Sequence, residues 1–133
     1  MSGYSDVKAV TITADTVALD ADGVSVAAAV GNNAALVIGG ALASGGAVAL
    51  SHGRVVTILS AGNDAAKSFT VTGTDVNGDS QTESITGANA GTATGTKFFK
   101  TISGISAVGN PAGNVSAGVN ASAADVIFAG RSR

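Results

Sequence analysis

The sequence predicts an all-β chain: an antiparallel β-sandwich or jelly-roll-like domain with an extended N-terminal arm. Three observations carry this. Val, Ile and Thr recur in short runs, several of them alternating apolar with polar residues, as a half-buried pleated strand requires. Between the runs stand Gly, 19 of 133 residues, and Asn, the residues that turns demand. No stretch carries the 3.6-residue apolar period of an amphipathic helix. Aromatic residues make up only 4% of the chain and Trp is absent, so the core has few large anchors and gains from neighbouring subunits.

The elements follow in order. Residues 1–22 read as the arm, with Tyr4 and a strand-like run that presents Val7, Val10 and Ile12. Residues 23–133 form a single domain, in which 23–53 is a small-residue-rich interface part and 54–133 a more regular module. Residues 23–51 carry no charge and exceed the roughly 20 residues that span a bilayer. A membrane helix is nevertheless disfavoured, because Asn32, Asn33 and several glycines interrupt the stretch and no Trp, Tyr or Lys/Arg anchors flank it. It divides instead into apolar runs at 24–30, 34–38 and 47–50, separated by turn residues in the manner of buried strands. An interface made of small side chains is the expectation, with Leu36, Ile38 and Leu42 joining Tyr4, Val7, Val10 and Ile12 as partner contacts.

From there the runs are clearer. A β-branched strand at 55–59 leads through the turn cluster SAGNDAAK to an alternating strand at 68–72, where Phe69 and Val71 face opposite to Thr70 and Thr72. A strand at 82–86 comes next, then GANAGTATG as a connection and a strand at 97–103. GNPAGN, at 109–114, joins the only Pro to two Gly-Asn pairs and is the strongest turn signal. Short strands at 115–119 and 126–129 complete eight to ten in all, spaced as in a sandwich.

SFTVTGTDVNGDSQTESITG, residues 68–87, holds four oxygen-bearing side chains: Asp75, Asn77, Asp79 and Glu83. A helix-loop-helix calcium loop needs D-x-[DN]-x-[DN]-G and a Glu at its twelfth position. Here Gly78 stands fourth and Glu83 ninth, and both flanks are period-two strands. Asn77-Gly78 instead fits the centre of a type I′ hairpin turn with both residues at positive φ. The hairpin is the preferred reading and an irregular β-loop calcium site on the four oxygens the alternative.

Little else bears chemistry. A net charge of −2 and 12% charged residues offer no basic surface for nucleic acid. Without cysteine there is neither a disulfide nor a thiolate metal site, and MSGYSDVKAV lacks the basic-then-apolar order of a secretory signal, so a reducing cytoplasm suffices for folding. His52, the only histidine, has no Cys or G-x-S-x-G partner and reads as a surface or interface residue. Asp20 and Asp22 can pair as acid and base, but exposed carboxylates at a turn before Gly23 are the commoner case. The expectation is a non-enzyme with no cofactor. Lys8, Lys67, Lys97 and Lys100 leave open a Lys-Asn crosslink of the bacterial adhesin kind, against the commoner role of charges that guard strand edges.

GRVVTILSAGNDAAKSFTVTGTDVNGDSQTESITGANAGTATGTKFFKTISGIS, residues 53–106, resembles a segment recurring in small virion proteins of tailed bacteriophages. Their pattern R-x-V-T-I-x-S-A-G-N-D, F-T-[IV]-T-G-T-D-x-N-G, E-x-[IV]-T-G-x-N-A-G-T, F-x-T-[IV] and a G-N-V-S-x-G element is met by Arg54, Asp64, Phe69, Asn77-Gly78, Glu83, Phe99 and 113–118, among others. The match covers about half the chain. The resemblance implies a β-rich head decoration, or cement, subunit on the outer capsid surface. Its implied partners are the major capsid protein and its own copies, often as a homotrimer, with neither nucleic acid nor membrane. Neck or tail positions share such modules.

Overall fold

A computed structural model of the chain describes residues 20–123, with side chains described through 120. The fold is all-β and antiparallel, and the described residues form eight strands: β1 (Asp20–Ala29), β2 (Ala43–Ser44), β3 (Ala47–Ser60), β4 (Ser68–Thr74), β5 (Ser80–Thr86), β6 (Thr92–Thr94), β7 (Phe99–Val108) and β8 (Asn114–Ala123). Among them no helix is long and apolar enough to cross a membrane. The arm at 1–22 lies outside these residues up to 19, and its proposed boundary falls inside β1. The run at 126–129 also lies outside them.

The strands follow the order β1-β8-β3-β7-β4-β5, with β2 and β6 added to β3. The long β3 explains how one path folds into two layers. At its start Val48 pairs with Ala43 on one side and Ile102 on the other, whereas further on Ile58 lies between Ala93 of β6 and Ala117 of β8. β3 therefore belongs first to a sheet with β2, β7, β4 and β5, and then to one with β6, β8 and β1. The change occurs where the register jumps from Ala49↔Thr101 to Arg54↔Phe99. Extra residues in one strand bend it, and a bulged strand that switches sheets makes a sandwich corner.

One core fills the space between the layers. It takes Val24 from β1, Val56 and Ile58 from β3, Phe69 and Val71 from β4, Phe99, Ile102 and Ile105 from β7, and Val115 and Val119 from β8. In β4 strict alternation puts Phe69 and Val71 inside and leaves Thr72 exposed. In β7 the period slips at Ser103, because Thr72 faces Gly104 while Gly73 faces Ile102, so Ile102 and Ile105 both point inward. Arg54, at the bend of β3, is 1% exposed and is the largest fully buried side chain among the described residues.

Two expected connections differ. The SHGR stretch, which has the polar residues of a turn, lies within β3, joining the runs expected at 47–50 and 55–59 into one strand. The Gly- and Asn-rich GANAGTATG connection contains β6, held against β3 by pairs from Thr57↔Thr94 to Leu59↔Thr92.

Candidate functional site

The oxygen-rich hairpin between β4 and β5 is built from its own backbone. The Gly78 amide donates to the Asp75 carbonyl at 3.0 Å and the Asp75 amide to the Asp79 carbonyl at 2.9 Å. Gly78 has φ +87°, whereas Asn77 is not among the positive-φ residues. This is a type I turn closed by one left-handed glycine, a three-residue loop, and not the two-residue type I′ turn expected. The Asp75 side chain accounts for the difference. Its Oδ1 accepts the amides of Asn77, at 2.8 Å, and Asp79, at 3.0 Å, which fixes the right-handed first half of the turn.

Glu83 does not turn toward this loop. In β5 it shares the inward face with Ile85, and its carboxylate reaches the connection between β6 and β7. Oε2 accepts the Thr96 amide at 2.6 Å and the Thr96 hydroxyl at 3.1 Å, while Oε1 accepts the Lys97 amide at 3.2 Å. Lys97 Nζ returns a bond to the Thr82 carbonyl at 2.9 Å, and Gln81 Nε2 donates to the Phe98 carbonyl at 2.6 Å. The four oxygens singled out in the sequence are thus divided between a turn and an edge seal. Among the described residues no three His, Cys, Asp or Glu side chains gather into a group that can hold a metal ion.

The candidate partner contacts also divide. Leu36 is 5% exposed and belongs to the core, held by the bond from its amide to the Ile105 carbonyl at 2.9 Å, so its side chain is unavailable to a partner. Ile38 and Leu42 are half-buried against the same core. The large apolar side chains that segment 23–51 does expose are Val37, at 78%, and Val26, at 55%. Tyr4, Val7, Val10 and Ile12 lie outside the described residues.

His52 is half-buried inside β3 and not beside a turn; Asp20 and Asp22 stand in β1, Asp20 half-buried and Asp22 exposed. Asp64, which entered the sequence analysis only through the resembling pattern, is fully buried, and its Oδ1 accepts the Ala112 amide at 2.7 Å. It ties the SAGND turn to the GNPAGN loop, and the signal was a lone acidic residue inside a turn cluster. Its Oδ2 and the Ser60 hydroxyl are buried without a hydrogen-bond partner among the described residues.

A shallow cavity of about 380 Å³ opens over the end of β4, β5 and β7. Hydroxyls of Thr72, Thr74, Thr82, Thr101 and Ser103 line it, and no charged or imidazole side chain does. Thr74 and Thr101 bond each other at 2.7 Å, and Ser103 bonds the Thr72 carbonyl at 3.2 Å. The lining holds no base to activate any of these hydroxyls. No protein-family model, curated protein or solved structure matches this chain.

Proposed function

We propose that the chain is a structural, non-enzymatic virion protein of a tailed phage, a decoration or cement subunit that binds the outer head surface and stabilises the lattice. Its partners in this reading are the major capsid protein and its own copies, most simply a homotrimer. It is made in the host cytoplasm and ends on the capsid surface.

The observation that carries the reading is the resemblance over residues 53–118, supported by what its residues do. Arg54, Val56 and Ile58, Phe69 and Val71, and Phe99 with Ile102 are all buried, Asp64 ties two turns, and Gly78 closes the hairpin. The pattern is therefore one that builds a β-module. A core of mostly Val, Ile and Ala gains stability from partners, because anything that binds only the folded form stabilises it by RT ln(1 + [L]/Kd).

Quantifying the protein in purified particles tests this. Hundreds of copies, on the order of the number of capsid subunits, are expected. A ring-sized number, about six to twelve, moves the protein to the neck or tail. Its absence from particles rejects the reading.

A further inference from the structure

Of the eight asparagines, only Asn77 is followed by glycine; the others precede Asn, Ala, Asp, Pro or Val. The neighbour matters because an asparagine carboxamide is open to attack by the main-chain nitrogen of the next residue, an intramolecular step that closes a five-membered ring. A side chain on the attacking residue crowds that closure and restricts the backbone that must fold toward it, whereas glycine does neither. Pro111, after Asn110, has no N–H to lose.

The fold leaves this pair accessible. Asn77 and Gly78 are both exposed at the tip of the β4–β5 hairpin. A Cβ built on Gly78 would meet nothing within 4 Å, so there is room for the ring and for water. Yet the same turn restrains the nucleophile. The Gly78 amide donates to the Asp75 carbonyl at 3.0 Å, and the Asn77 amide to Asp75 Oδ1 at 2.8 Å. To attack, the Gly78 nitrogen must leave that carbonyl, give up its proton and swing toward the carboxamide carbon. The ring therefore closes from an opened turn.

We propose that Asn77 is the deamidation site of this chain and that Asp75 sets the rate by keeping the turn closed. The Gly78 nitrogen bonds to Asn77 Cγ, the Cγ–Nδ2 bond breaks, and ammonia leaves with the proton of the Gly78 amide. Water then opens the cyclic imide at either carbonyl, giving an aspartyl or an isoaspartyl residue. Either product places a third carboxylate between Asp75 and Asp79 and adds one negative charge to a net −2. The isoaspartyl form also lengthens the main chain by a methylene, inside the loop whose amides, from Asn77 and Asp79, converge on Asp75 Oδ1.

The purified full-length chain is incubated at neutral pH and sampled by peptide mapping, in which OH in place of NH2 marks a converted asparagine. Conversion is expected first at Asn77, as a mixture of the two products, and faster when the chain is unfolded in urea. Asp75→Ala, checked by circular dichroism for an intact sheet, should convert about fivefold faster than the native chain, the factor that about 1 kcal/mol of lost turn stability gives. Amide exchange at Gly78 should rise by the same factor, because both reactions wait on one opening. Asp75→Asn keeps an Oδ1 acceptor and should stay within about twofold of the native rate. First conversion at another asparagine, or a folded chain that stays intact while the unfolded one converts, would overturn the site. A native rate equal to that of Asp75→Ala would overturn the control by Asp75. Asp75→Asn as fast as Asp75→Ala would overturn the hydrogen-bonded turn as the cause, in favour of the carboxylate's charge.

Discussion

The two ends of the strand order are finished in opposite ways. At β5 the end strand is tied down: the Gln81 and Glu83 side chains bond to the 96–98 connection, and Lys97 of that connection bonds back to the Thr82 carbonyl. At β1 the last four residues carry valine and alanines with nothing charged among them. Edge strands are templates for pairing with other chains, so an end that is tied down and one that is not have different consequences. The β1 end, in the segment whose exposed large apolar side chains include Val26 and Val37, carries no such ties among the described residues.

The largest expected effect comes from lifting β1 off the sheet. Gly118 of β8 lies directly beneath β1, so that a Cβ at this position would meet the Asp20 carbonyl and the Ala21 backbone. Backbone cannot move aside as the end of a side chain can. Gly118→Val should cost about 3 kcal/mol, as severe overpacking does. Hydrogen exchange should show β1 losing protection while the β4–β5 hairpin keeps it. Equal loss at both ends would mean that the edges open as one cooperative unit.

Next in size is the seal. Glu83→Ala removes one acceptor for two amides and a hydroxyl, all at a partly exposed site, and should lower stability by about 1–2 kcal/mol in denaturant titration. Glu83→Gln keeps an acceptor and should cost less than half as much. The Ala variant should also self-associate through β5, which sedimentation detects. A Glu83→Ala protein with unchanged stability and unchanged mass would mean that the carboxylate is not what closes this edge.

How much of this was legible depends on where each side chain points. The β4–β5 hairpin was readable because Thr alternates with Phe, Val and Ile on both sides of a glycine turn, a pattern that only a half-buried strand pair satisfies. The bend in β3 was not, because Ser51, His52 and Gly53 have turn-like composition yet lie inside the strand, between the pairs Ala49↔Thr101 and Arg54↔Phe99. β6 was hidden by similar composition. Its three residues, Thr-Ala-Thr, between glycine-rich flanks are too few to show a period. Glu83 was noticed for its oxygens, as part of the hairpin or of the alternative calcium site, whereas its carboxylate bonds to Thr96 and Lys97. Its spacing of two from Ile85 already placed it on the inward face, away from the loop that holds Asp75 and Asp79. Leu36 was read as a contact because its run is apolar and uncharged, and periodicity alone does not tell the inside of one subunit from the space between two.

A smaller effect belongs to the turn. Asp75→Ala removes the acceptor of two amides and should cost about 1 kcal/mol. Gly78→Ala should cost about as much, since φ +87° is a conformation that a residue with a Cβ adopts at a penalty. Both are read by thermal melting. Neither should alter the hydrogen-exchange protection of β1, so a loss of protection there in either variant would tie together ends that the strand order keeps apart.

The smallest expected effect is also the one that decides between the turn and the calcium site. The hairpin uses Asp79 through its main chain, the amide donating to Asp75 and the carbonyl accepting from it. Asp79→Ala should therefore change stability by less than about 0.5 kcal/mol, as an ordinary exposed substitution does. A calcium site makes the opposite demand. It would need the Asp79 carboxylate as a ligand and would draw Glu83 away from Thr96 and Lys97, opening the β5 edge. Melting in excess calcium and then in excess chelator separates the two. Matching curves for the native chain, together with a silent Asp79→Ala, are expected of a turn. A chelator-induced fall of many degrees that Asp79→Ala abolishes would instead make these four oxygens a metal site and the edge seal only its empty form.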